Sequence, residues 1–66
     1  MADLDRSHPA VLTLAGLAGV DPRTALSWLS GRSVLPAHGR ALLEALPRAS
    51  AALPEHAPTY AARVSV

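Results

Sequence analysis

Apolar residues along this chain fall into groups parted by glycine and proline, and their spacing predicts helices. Val11, Leu12, Leu14, Ala15, Leu17 and Ala18 recur at helical intervals and leave the segment apolar over much of its circumference. Pro9 suits the first position of that helix, because the N–H it lacks would have no intrahelical partner there. Gly16 weakens its middle, and Gly19 is expected to end it in the left-handed conformation. Asp21-Pro22 is the next start signal: the carboxylate caps free N–H groups and the proline sets a helical φ. The second helix is expected over 22–30, closed by Gly31, with a loop over 31–35. Pro36 opens a third helix, apolar at Leu42, Leu43 and Leu46, expected to end at or near Pro47. Residues 49–53 would add one further turn.

The pattern changes near the end. Tyr60, Ala62, Val64 and Val66 alternate with Thr59, Ala61, Arg63 and Ser65, which is the period of a strand. A lone strand needs another chain to pair its backbone groups. A short helix, which Ala61-Ala62 favours, and a frayed tail are the competing expectations. The fold class expected is therefore all-α, a small helix-turn-helix domain of three to four short helices, with a C-terminal strand or extended tail left open. Its parts are an N-terminal arm (1–8), the domain (9–53) and a tail (54–66) that would serve as a dimerisation segment.

Composition narrows the classes. Sixty-six residues allow one domain, and a chain this short buries only about 60% of its unfolded surface. Half the residues are apolar, which argues against disorder. Trp28 and Tyr60 are the only aromatic residues, so the core must come from Leu, Val and Ala. With no Cys, disulfides and thiolate metal sites are excluded, and a partner chain is the remaining source of extra stability. A homodimer joined through the third helix or the C-terminal segment is expected. His8, His38 and His56 are widely separated and lack metal-ligand spacing, so they read as surface residues. No metal and no cofactor are expected. No Ser-His-acid arrangement can be argued, and the chain is not expected to be an enzyme. No apolar run reaches the roughly 18 residues that span a bilayer, and the N-terminus lacks a signal-peptide pattern. A cytoplasmic protein with no membrane association is expected.

The net charge is only +1, weak for a nucleic-acid binder. Its distribution says more. Between Pro22 and Leu43 stand Arg23, Arg32 and Arg40 and no acid, while Asp3, Asp5, Asp21, Glu44 and Glu55 lie outside. Three ordinary solvated arginines are the plainer account of the same fact.

The informative constellation is Val11-x2-Leu14-Ala15-x2-Ala18-Gly19-Val20-x4-Ala25-x2-Trp28-Leu29. Each position has a task if two helices cross over a tight turn. Ala15 must be small, because the second helix passes over it. Gly19 takes a conformation that costs other residues about 1 kcal/mol or more. Val20 plugs the corner, and Ala25 with Trp28 forms the inner face of the second helix. A short turn containing Gly is the signature of such a pair.

The run Leu17-Ala18-Gly19-Val20-Asp21-Pro22-Arg23-Thr24-Ala25-Leu26-Ser27-Trp28-Leu29-Ser30-Gly31-Arg32 resembles the helix-turn-helix of Cro and repressor-type regulators, and is similar to the lactose-repressor headpiece. Val34-Leu35-Pro36, Arg40 and Leu42-Leu43 resemble the next helix of those families, so the likeness covers residues 11–46. It departs from them in two places. Eight residues precede the motif where the Cro-like fold has a full helix, and Leu26 and Ser27 stand where polar or basic residues are frequent.

The resemblance implies double-stranded DNA as partner and the helix over 22–30 as the recognition helix. Arg23 would bond guanine O6 and N7, and Thr24 and Ser27 a base or a phosphate. Arg32 and Ser33 would meet phosphate, with His38 and Arg40 on the backbone from the next helix. The competing reading of Arg23 is a solvated first-turn residue, and that of Thr24 a capping partner of Asp21. Ser27, Ser30 and Ser33 recur every three residues without marking a modification site. Trp28 reads as core. Leu12, Leu17 and Leu26 fall outside the inner face. An exposed Leu26 marks the rival reading, a protein-interaction module or antitoxin-like protein that keeps this frame and binds its partner through the Leu26 face.

Overall fold

The computed structural model describes residues 4–64, the last two by backbone alone. Its path begins with a turn in which one carboxylate oxygen of Asp5 accepts from the Ser7 amide at 2.9 Å and the Ser7 hydroxyl at 2.8 Å. These bonds, the hydroxyl's first, hold the Asp5 carboxyl below the usual carboxylate range. Helix α1, Pro9–Ala18, follows directly. His8 caps it: Nδ1 accepts from the Ala10 N–H at 3.1 Å, satisfying one of the free donors of a helix start. Gly19 ends α1 at φ 71°, and the Val20 N–H donates back to the Ala15 carbonyl at 3.0 Å, the bond that closes a Schellman ending.

Helix α2, Pro22–Leu29, starts as expected on Asp21, whose Oδ1 accepts from the Arg23 N–H at 2.8 Å. Gly31, at φ 86°, turns the chain away after it. Helix α3, Pro36–Ala52, then runs straight through Pro47, where an end was expected. The proline removes one N–H, and the carbonyl left without its donor belongs to Leu43. Leu42, Ala45, Leu46 and Ala49 nonetheless keep both halves of the helix on one core. Ridge continuity outweighs one lost bond.

A 3-10 turn, Pro54–His56, leads to helix α4, Ala57–Val64. The strand reading of this stretch is thus overturned over the described residues; residues 65 and 66 lie outside them. The physical reason is that no strand among the described residues is present to take its backbone bonds, whereas a helix satisfies them internally. Pro58 in the first turn is tolerated for the same reason as Pro9.

Among the described residues eleven apolar ones make the core: four from α1, two from α2, four from α3, and Tyr60 from α4. Five are alanines (Ala10, Ala15, Ala25, Ala45 and Ala49), so helix backbones approach closely, α1 resting on α3 and α2, and α4 on α3. Trp28 and Tyr60 fill the larger spaces. The core therefore extends past residue 53 into the segment expected to be a tail. No helix among the described residues is long and apolar enough to cross a membrane.

Candidate nucleic-acid interface

Residues 19–21 join α1 to α2 in a three-residue turn. The residues expected to shape it stand as their chemistry demands. Ala15 is buried beneath the turn, Gly19 holds the positive φ, and Val20 packs half-buried against the core. No added Cβ at Gly19 would meet an atom within 4 Å, so the backbone conformation alone calls for glycine there.

With Ala25 and Trp28 buried, the helical period decides what α2 turns outward. Arg23, Ser27 and Ser30 follow one another at i, i+4 and i+7 along the outer stripe. Arg23 and Ser30 are exposed, and Ser27 and Thr24 are half-buried. Thr24 lies at the stripe's edge, and the Asp21 carboxylate is engaged by the Arg23 amide in the place considered for Thr24. Ser30 was not among the expected contact residues, although its seven-residue spacing from Arg23 places it on the same line.

The loop after α2 carries Arg32 and Ser33, both exposed. The Arg32 amide donates to the Ser27 carbonyl at 2.8 Å, tying the start of the loop to the last turn of α2. His38 is half-buried in the first turn of α3, and Arg40, one turn on, is exposed. Side chains of three arginines are thus presented from α2, the following loop and the start of α3.

Leu26 differs from expectation. It is half-buried and packs against the core, because a helix lying across two others buries more than a single stripe. Among the described residues the exposed large apolar ones are Leu12, Leu17, Leu35 and Leu43.

The histidines also need revision. His8 and His56 meet edge to face, with ring centroids 5.0 Å apart and planes at 74°. Their separation along the chain concealed this contact, which ties the 3-10 turn to the start of α1. Among the described residues no group of three or more His, Asp or Glu is placed to hold a metal ion. No protein-family model, curated protein or solved structure matches the chain.

Proposed function

We propose that this chain is a sequence-specific regulator that binds double-stranded DNA, with α2 lying in the major groove. One observation carries the reading: the outer stripe of α2 offers an arginine and two hydroxyls on a helix held by a three-residue turn. Arginine and hydroxyl donors are the groups that read base edges and grip phosphates. Arg23 reads guanine, Ser27 and Thr24 contact a base or phosphate, Ser30 extends the stripe, and Arg32, Ser33, His38 and Arg40 hold the backbone. The role is non-enzymatic and belongs in the cytoplasm.

One copy presents few cations, and each phosphate contact adds to the salt dependence of binding. Two copies on half-sites about one helical turn apart supply the rest.

A second reading keeps the frame and binds a protein, as an antitoxin-like module would. It is favoured by the outer face of α1, which has no charged residue and exposes Leu12 and Leu17.

Selection of bound sequences from a random duplex pool at low salt, with Arg23→Ala in parallel, separates them. The DNA reading expects an enriched palindrome, and in the variant a lost preference at one base worth about 1–3 kcal/mol. An unenriched pool overturns it in favour of the protein partner.

A further inference from the structure

His8 and His56 form a titratable pair that DNA binding leaves unused. His8 stands at the N-cap of α1, with Nδ1 accepting from the Ala10 N–H at 3.1 Å. A neutral imidazole has one nitrogen that accepts and one that donates, so this bond assigns the Nε2–H form to His8. The carbonyl of the same Ala10 accepts from the Tyr60 hydroxyl at 2.6 Å. One residue of α1 thus carries both the cap bond and the bond from α4. The His56 ring lies edge to face with that of His8, centroids 5.0 Å apart, and both are half-buried.

We infer that His8 is a proton-operated clasp: its neutral ring holds residues 54–64 on α1, and its charged ring lets them open while α1, α2 and α3 stay packed. An imidazolium has two donors and no acceptor. Protonation therefore turns Nδ1 from the partner of the Ala10 N–H into a second donor facing it. The new charge also sits at the positive end of the helix dipole. Once His56 is charged as well, two like charges stand side by side. Turning the His8 ring out to water relieves all three, but it breaks the contact with His56, which couples the proton to the 3-10 turn and α4. The open segment accepts a proton that the closed one resists, so falling pH favours opening.

The neighbouring charges do not reverse this sign. Asp5, in the turn before α1, pulls the other way, but weakly: its carboxylate is engaged by the hydroxyl and amide of Ser7, and the charge of His8 is the least of the influences on it. Arg6 and Glu55, the charged neighbours of the two histidines in the chain, are exposed. Helix α1 has no charged residue. On α3, Arg40, Glu44 and Arg48 are exposed and His38 stands in the first turn. Among the described side chains α4 brings only Tyr60, which is a neutral donor here.

This clasp is independent of what α2 binds, and its test contains no DNA. An imidazole takes up its proton at about pH 6.5, so the full chain is followed by NMR from about pH 7.5 to about pH 5. Protection of the α4 amides against hydrogen exchange, corrected for the pH dependence of free amides, should fall about fivefold, the worth of a typical helix cap in an opening equilibrium. It should fall in step with the His8 ring signal, while far-UV circular dichroism stays that of the folded chain. His8→Asn, which accepts from the Ala10 N–H and takes up no proton, should abolish the fall. His56→Phe, which keeps a ring and carries no charge, should retain it at least in part. Level protection across this range, a fall that survives in His8→Asn, one that His56→Phe removes, or collapse of the helical signal over the same range overturns the proposal.

Discussion

The phenol of Tyr60 donates a 2.6 Å hydrogen bond to the carbonyl of Ala10, fifty residues earlier in the chain. Both residues are buried. The bond joins α4 to the first turn of α1 and satisfies the single polar atom that Tyr60 carries into the core. The His8–His56 contact lies beside it in the chain at both ends, two residues before Ala10 and four before Tyr60. Together they fasten the C-terminal segment to the helix that begins the domain.

Removing the hydroxyl should be felt directly. Tyr60→Phe keeps the ring and loses the bond, which predicts a cost of about 1 kcal/mol. For a domain of this size that lowers the melting temperature by about 4–8 °C. A melting curve superimposable on the parent's would show that the bond contributes nothing.

Alkali tests the same group from the other side. Burial raises the Tyr60 phenol above its ordinary value of 10.0. The folded state therefore holds this proton more tightly than the unfolded chain does. Its contribution is complete below pH 10 and is lost as pH rises through the folded value. Far-UV circular dichroism and Trp28 fluorescence, titrated upward from neutrality, should show unfolding in that window. Tyr60→Phe should lack the Tyr60 contribution, and an identical alkaline profile in both proteins would contradict the assignment.

Two glycines, one within α1 and one just past its end, should respond in opposite directions. Gly19 sits at φ 71° with open space around it, so Gly19→Ala meets no atom and is costly through its backbone alone. The expected loss is about 1–2 kcal/mol. Gly16 is helical, exposed and equally open. Gly16→Ala should therefore gain about 0.5–1 kcal/mol. Urea denaturation reads both, and equal signs for the two variants would refute the argument.

The imidazole cap of α1 gives a further measurement. His8→Ala leaves the Ala10 N–H without its acceptor and removes the ring that meets His56. A loss of about 0.5–2 kcal/mol is expected. His8→Asn restores an acceptor at the cap but not the ring contact, and should recover part of that loss. If Asn behaves like Ala in thermal melts, the cap bond is not what stabilises this end of the helix.

Much of α1, α2 and the start of α3 was legible in the residues because their boundary signals act locally. Pro9, Asp21-Pro22 and Pro36 set φ or cap N–H groups within a turn of themselves, and Gly19 and Gly31 supply positive φ where each helix ends. The outward stripe of α2 followed from placing Ala25 and Trp28 inward. The C-terminal stretch was not legible. Eight residues rich in alanine fit a period of two as well as one of 3.6, and nothing nearby arbitrates. Pro47 misled for a related reason, since a single missing hydrogen bond is outweighed where Leu42, Ala45, Leu46 and Ala49 carry the buried face on through it.

The sequence by itself determined where the first helices begin and turn, because φ preference and capping need only neighbouring residues. Tertiary structure alone decided that α3 continues past Pro47, that 57–64 is helical, that Leu26 is half-buried and that His8 meets His56. Each of those outcomes rests on which distant surface is present to pack against, and the energy of that packing exceeds the small local preferences that pointed the other way.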